Sequence, residues 1–174
     1  FKKTKNYDLA PHFDRLTWTE AFDLYGTDKP DLRFDLKMQD AAFMADLSDF
    51  TAFKAGAQNA GNDKERHKRS GLKALVVKNV ADKYSRKAIE ALEAVAKTYK
   101  AKGLAWMKVT ATNGSEKKFE GGISKFFTGK EEEICRTLNA EANDLLLFVS
   151  DEKWQTACTA LGAVRKQLGK DLQL

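Results

Sequence analysis

The stretch YKAKGLAWMKV, Tyr99 to Val109, decides the fold that the sequence predicts. Its lysines and Gly103 favour the end of a helix, because cations stabilise the negative end of the helix dipole and glycine accepts a left-handed cap. An apolar strand, Leu104 to Val109, begins at once. Asn113-Gly114 favours a reversal before a second strand, Gly122 to Phe127. The stretch therefore predicts a helix followed by two antiparallel strands.

Apolar stripes at helical spacing predict one helix on each side of these strands. Ser85 is a typical N-cap for the first, and the last helix follows the apolar strand Asp144 to Ser150. The stripe of the first consists of Ala88, Ile89, Leu92, Val95, Ala96 and Tyr99. The stripe of the last consists of Trp154, Ala157, Cys158, Leu161, Val164 and Leu168. Each helix therefore buries one face.

An earlier helix is predicted by the capping box Thr17-Trp18-Thr19-Glu20 and ends at Gly26. A rigid connector around Pro30 follows it. Two further strands are predicted at Phe50 to Phe53 and at Leu72 to Val80.

From Phe50 onward the predicted order is β-β-α-β-β-α-β-α, which favours the α+β class. We predict a two-layer sandwich, with a mostly antiparallel sheet and helices on one face, preceded by a short helical connector.

The positive charge of the chain is concentrated in its middle. The 174 residues carry a net charge of +5, yet Lys64 to Lys108 holds thirteen Lys and Arg against four Asp and Glu, a local charge of +9. A basic middle suits a polyanion such as RNA, and it equally suits a solvated surface. Charge alone leaves both interpretations open.

Several classes of site have no sequence signal here. The chain has no P-loop, no GxGxxG after a strand, no HExxH and no GxSxG. Cys135 and Cys158 lie on apolar helix positions without a CxxC partner, which favours buried free thiols. Trp106 and Phe126 could stack on bases, but their apolar neighbours favour packing in the core. No apolar run reaches the roughly 20 residues of a membrane span, and the first residues lack a signal-peptide core, so we expect a cytoplasmic protein.

The quoted segments, taken in order, resemble one known family. TWTEAFDLYGTDKPDLRF (Thr17 to Phe34), Ser85 to Val109, Gly122 to Phe127 and GAVRKQLGKDL (Gly162 to Leu172) resemble bacterial-type aspartyl-tRNA synthetases, class II aminoacyl-tRNA synthetases. The likeness falls between the second and third class II motifs of that family, a segment that includes its GAD insertion domain. It implies that residues 1–48 are a connector and part of the catalytic domain, and that residues 49–174 are the GAD-type insertion.

The resemblance also implies a function for the parent protein. That family is a ligase of protein biosynthesis: it binds ATP and Mg²⁺ and attaches L-aspartate to tRNA through an aspartyl-adenylate, as a cytoplasmic homodimer. Its adenylate-forming motifs lie outside the matching segment, so we assign no catalytic residue, metal or cofactor to this chain. We expect the chain alone to be an inactive monomer. Its expected partners are the rest of the catalytic domain and, weakly, tRNA.

Basic residues within the insertion are the candidate contacts to tRNA phosphates. They are Arg66, Lys68, Arg69, Arg86 and Lys87. Two other interpretations remain open: a related insertion of a tRNA-dependent amidotransferase subunit, and a free-standing module that binds RNA or protein.

Overall fold

A five-stranded antiparallel sheet organises the protein, and its last strand in sequence is its middle strand. The computed structural model describes residues 2–5, 15–58, 69–111 and 116–174. The spatial order is β1-β2-β5-β3-β4, and each neighbouring pair is antiparallel. The strands are β1 Gln39–Asp40, β2 Leu72–Val77, β3 Ala105–Ala111, β4 Lys117–Glu120 and β5 Leu145–Ser150.

Six α-helices and two 3₁₀ turns are present among the described residues. The helices are α1 Lys2–Lys5, α2 Trp18–Tyr25, α3 Thr51–Gln58, α4 Arg86–Thr98, α5 Glu131–Thr137 and α6 Trp154–Asp171. The 3₁₀ turns are Ala42–Ala45 and Ser124–Phe127.

The two central strands are apolar on both faces because both faces are covered. All six residues of β2 and five of the six in β5 are buried. Leu75 and Leu147 share a core with α4 and α6, while Val76 and Leu146 share a second core with Phe53 and residues of α5. Side chains alternate between the faces of a strand, so the continuous apolar runs follow from this double burial.

The α+β class and the antiparallel sheet were predicted and are confirmed. The arrangement of layers differs in one respect. The two long helices pack on one face, as expected, but α3, α5 and the 3₁₀ turns cover the opposite face. The sequence signal for that second layer is weak because its helices have only seven or eight residues.

Two predicted strands are wrong. Residues 50–53 begin helix α3, where Phe50 and Phe53 stack at 5.0 Å, a pairing that the three-residue spacing of a helix permits. The segment 122–127 forms a 3₁₀ turn, and the strand paired with β3 lies earlier, at Lys117–Glu120. Gly121 and Gly122 have φ of 74° and 49°, which interrupts an extended chain.

The predicted glycine cap of α4 is also wrong. The helix ends at Thr98, and Lys100 takes the left-handed conformation with φ of 69°. The Ala101 N–H donates to the Ala96 carbonyl at 3.3 Å, the closing bond of a Schellman motif, and Ala101 is buried. An apolar residue one position beyond the left-handed one stabilises this motif, so burial of Ala101 explains the earlier end.

The segment before α3 packs closely on α6. The capping box of Thr17 and Glu20 is confirmed, and Gly26 ends α2 with φ of 72°. The backbones of α2 and α6 touch here, because a Cβ at Gly26 would lie 2.8 Å from the Gly162 Cα. β1 then joins β2 across the predicted boundary between residues 48 and 49. That boundary stays a prediction.

Candidate nucleic-acid interface

The five predicted phosphate contacts fall into three situations. Arg66 and Lys68 lie outside the described residues. Arg69 is held by the protein itself. Arg86 and Lys87 are exposed in the first turn of α4.

The Arg69 side chain forms contacts within the chain. Its Nε lies 3.2 Å from Asp23 Oδ2, and its guanidinium lies 5.0 Å from the centre of the Trp154 ring. The Arg69 side chain is only 19% exposed. A phosphate would have to compete with both contacts, so this arginine links α2 to α6 in the structure described here.

Asp23 is the centre of a polar cluster that the sequence analysis missed. Its Oδ1 accepts from Trp154 Nε1 at 2.7 Å and from Lys73 Nζ at 3.1 Å. Lys73 also lies 3.4 Å from Asp40, and its side chain is only 5% exposed. Burial of an ammonium group is costly unless it is paired, so the two carboxylates offset the burial of Lys73, and the contact with Asp23 fixes α2 against the sheet.

Arg86 and Lys87 are presented to solvent at the start of α4. Ser85 caps this helix, with its Oγ accepting from the Ala88 N–H at 3.2 Å. Arg86 Nε lies 3.1 Å from Glu90 Oε1, but the Arg86 side chain remains 85% exposed, so this pair is weak. The positive end of the helix dipole adds to their charge. Both side chains can reach a phosphate without disturbing the core.

The structure does not bring Arg69 and Arg86 together. Arg69 lies over Trp154, the first residue of α6. Tyr84, two residues before Arg86, lies near Asp171 at the other end of α6. Burial raises the pKa of Tyr84, and the nearby charge of Asp171 raises this pKa further. The 18 residues of α6 span about 27 Å. The two arginines therefore belong to separate surfaces.

The two aromatic candidates for base stacking both pack against other parts of the protein. Trp106 is half-buried against the core beneath α4 and α6, and the backbone of Gly121 and Gly122 lies directly against it. Phe126 is 39% exposed, but it lies on a 3₁₀ turn and packs against Phe50 at 4.8 Å. Neither ring stands free on an open sheet.

Both cysteines are buried free thiols, as predicted. Burial raises the pKa of Cys158 to about 12 and also raises the pKa of Cys135. The reactive form of cysteine is the thiolate, so neither is poised as a nucleophile. Among the described residues, no group of His, Cys, Asp and Glu could hold a metal ion. No helix in the described part of the chain is long and apolar enough to cross a membrane.

Comparison with known proteins identifies the family. The model of the GAD domain matches residues 64–161, more than half of the chain. The chain belongs to the GAD domain family. The matched GAD region begins before β2 and ends within α6, so it contains β2 to β5 of the sheet.

Relatives of this GAD chain match it from end to end. A protein of Treponema denticola is 59% identical over 174 residues, one of Geobacillus sp. (strain WCH70) is 45% identical, and one of Borreliella burgdorferi (strain ZS7) is 38% identical. Each is named aspartate–tRNA(Asp/Asn) ligase, and the matches cover 99–100% of this chain. The chain spans 27% of the length of these relatives.

Arg165 is a second feature of the GAD chain that the sequence analysis missed. It is buried, and its guanidinium donates to the carbonyls of Leu36 at 2.5 Å, Asp31 at 2.8 Å and Phe34 at 3.0 Å. It also stacks on Phe34 at 4.1 Å and on Tyr25 at 4.8 Å. Arg165 thereby fixes the connector to α6.

Both missed features do have a sequence signal. Lys73 is the only charged residue within the apolar strand LKALVV. Arg165 follows Leu161 by four residues and precedes Leu168 by three, which places it on the apolar stripe of α6. A lone basic residue in an apolar pattern indicates a buried cation with partners elsewhere, although the partners themselves cannot be inferred from the pattern.

Proposed function

We propose that this chain is the GAD-containing part of an aspartate–tRNA ligase. The observation that carries the proposal is the match to the Treponema denticola ligase, which is 59% identical and covers the whole chain. The complete protein would attach L-aspartate to tRNA through an aspartyl-adenylate, with ATP and Mg²⁺, as a cytoplasmic homodimer. The chain itself is a monomeric accessory module and supplies no catalytic group.

The role of the module is to accommodate the acceptor arm of tRNA beside the active site. Exposed Arg86 and Lys87 support this role, because phosphate contacts position a nucleic acid without reading its bases. Arg66 and Lys68 belong to the same proposal on sequence alone. Arg69 contributes only if it leaves Asp23 and Trp154, so the geometry favours Arg86 and Lys87 as the principal contacts.

Aminoacylation by the complete protein tests the parent activity. Purified complete protein should join radiolabelled aspartate to tRNA in the presence of ATP and Mg²⁺, whereas the 174-residue chain alone should not. If the complete protein charges no tRNA with aspartate, the proposed parent activity is wrong. Amidation of an amino acid already attached to tRNA would instead support the amidotransferase interpretation.

Salt-dependent binding tests the phosphate contacts. The chain should bind tRNA weakly, and its affinity should fall steeply between about 50 and 200 mM salt because binding releases counterions. The double variant Arg86→Gln with Lys87→Gln should reduce the slope of log K against log salt by about 1 to 2. Lys130→Gln, which removes an exposed lysine elsewhere, is the matched control. An unchanged slope in the double variant would exclude these two residues as contacts.

A further inference from the structure

A cavity of about 380 Å³ opens beside α3, at the opposite end of α4 from Arg86 and Lys87. It lies between α3, the segment that leads into β3 and the end of β5. Its apolar lining includes Phe50, Phe53, Leu104, Ala105, Ile123 and Phe148. The volume lies within the range of small-molecule sites, which is about 300–1,000 Å³.

Several packed elements build this cavity, so its walls do not depend on one loop. Phe53 stacks on Phe148 at 5.5 Å, and both rings are buried. Ser150 Oγ donates to the Ala52 carbonyl at 2.6 Å, which fixes α3 against the end of β5. Gly56 lies against Ser150, since a Cβ at Gly56 would lie 2.3 Å from that Oγ. These contacts therefore fix the position of α3 relative to β5 around the cavity.

The rim of the cavity is acidic, although the protein is basic. Among the described lining residues, Glu93, Asp151 and Glu152 carry carboxylates and Lys102 carries an ammonium group. Lys102 Nζ lies 4.0 Å from Glu152 Oε1, a distance typical of a weak exposed pair. Glu93 pairs at 2.7 Å with Lys97, which lies outside the lining. With Lys97 included, the described groups still hold one more carboxylate than ammonium groups, which favours a cation over an anion.

We propose that this cavity binds a small organic cation, with one apolar ring or branched alkyl group in the cavity and a protonated amine at the rim. Aromatic walls bury the apolar part, and the carboxylates of Asp151 and Glu152 attract the amine. Nucleotides and free carboxylates should bind more weakly, because their negative charge would meet the carboxylates at the rim. The site does not depend on the proposed ligase activity, because Lys102 and Arg86 flank opposite ends of α4.

Titration of the 174-residue chain with three probes that carry the same phenethyl group tests the charge preference. Phenethylamine, 2-phenylethanol and 3-phenylpropionate share a ring and differ in charge. Backbone amide shifts in ¹H–¹⁵N spectra should saturate at Leu104, Ala105 and Ile123. The amine should bind about three- to fivefold more tightly than the alcohol, the range expected for an exposed ion pair, and the carboxylate more weakly than either.

Two sets of variants locate the site. Ala55→Leu places a larger side chain in the lining and should weaken binding of the amine at least about tenfold. Ala94→Leu makes the same change on the exposed side of α4 and should leave binding unchanged. Asp151→Asn combined with Glu152→Gln should abolish the preference for the amine and leave the affinity for the alcohol unchanged.

Three results would overturn the proposal. The first is a carboxylate that binds as tightly as the amine, and the second is a set of shifts that maps away from the cavity. The third is the absence of saturation by the amine up to about 20 mM, a concentration at which a site of millimolar affinity would be filled. The first and third use the unaltered chain, so they decide the question even if Ala55→Leu does not fold.

Discussion

Replacing Arg165 by methionine tests whether the connector is a cooperative part of the fold. The guanidinium donates to the carbonyls of Asp31, Phe34 and Leu36 and is buried. Methionine has a similar length and no donor, so the carbonyls lose their partner while the apolar stem remains. Burial lowers the pKa of Arg165, which indicates that part of the bond energy offsets the loss of water around the charge.

The expected loss follows from these contacts. A buried carbonyl left without a donor costs about 1–3 kcal/mol. Leu36 is only 6% exposed, whereas Asp31 and Phe34 are both half-buried, so water can replace part of the bonds to their carbonyls. One buried carbonyl and two half-buried ones lose their donor, and the protein no longer has to bury a charge, so we expect a net loss of about 3 kcal/mol. The ratio of folded to unfolded protein should then fall roughly 150-fold.

Urea unfolding, followed by tryptophan fluorescence and by circular dichroism, measures this loss. Arg33→Met is the matched control: Arg33 pairs with Asp31, but its side chain is 86% exposed, so the change should stay within about 0.5 kcal/mol. A loss below about 0.5 kcal/mol in Arg165→Met would refute the reasoning. So would faster hydrogen exchange at the Met38 amide, which donates to Leu24, with unchanged global stability, since the connector would then detach by itself.

Three further changes test other parts of the structure. Gly26→Ala should lower the free energy of unfolding by more than about 2 kcal/mol, because φ is 72° and the new Cβ would lie 2.1 Å from a carbonyl oxygen. Gly129→Ala is the control: φ is 81°, but the space around the residue is open, so the loss in the same urea assay should be only about 1 kcal/mol. Asp144→Asn should lower the free energy of unfolding by about 1–3 kcal/mol, since the buried carboxylate pairs with Lys78 at 2.9 Å, and an unchanged urea midpoint would contradict this. Burial raises the pKa of the Cys158 thiol to about 12 in the folded protein, whereas the unfolded thiol ionises near about 8.5. Above about pH 8.5 the unfolded state therefore binds fewer protons than the folded state, so the free energy of unfolding falls as the pH rises. The stability advantage of the wild type over Cys158→Ala should therefore shrink between about pH 8 and 10, and an advantage that grows would show the wrong sign.

Local patterns predicted those parts of the fold that depend on local chemistry. The capping box at Thr17, the cap at Ser85 and the apolar stripes of α4 and α6 are present. The prediction of Tyr99 on the first stripe is wrong, because Tyr99 follows the end of α4 and is 48% exposed. The sequence predicts a strand at residues 50–53, because two phenylalanines in a short apolar run suit a strand as well as a helix. Their contacts decide between the two: Phe53 packs on Phe127 and Phe148, which lie far away in sequence.

For the same reason, the sequence could predict the environment of only some of the candidate phosphate contacts. Exposure of Arg86 and Lys87 follows from their place at a helix start, opposite the apolar stripe. Arg69 instead forms an ion pair with Asp23 and lies over the ring of Trp154, and both residues are distant from it in sequence. No local pattern could reveal that pairing. Charge density marks a basic segment, but only tertiary structure tells which cations are already neutralised.

The position of β5 has a consequence for synthesis on the ribosome. β2 and β3 have no direct contact as strands, because β5 lies between them. About 70 residues separate the end of β2 from the start of β5, so at a synthesis rate of about 5–20 residues per second β2 waits roughly 4–14 s for its central partner. During that interval the nascent chain exposes LKALVV as an unpaired edge, a segment that chaperones and neighbouring chains can bind. Completion of the sheet is thus coupled to translation of β5, its last strand in the sequence.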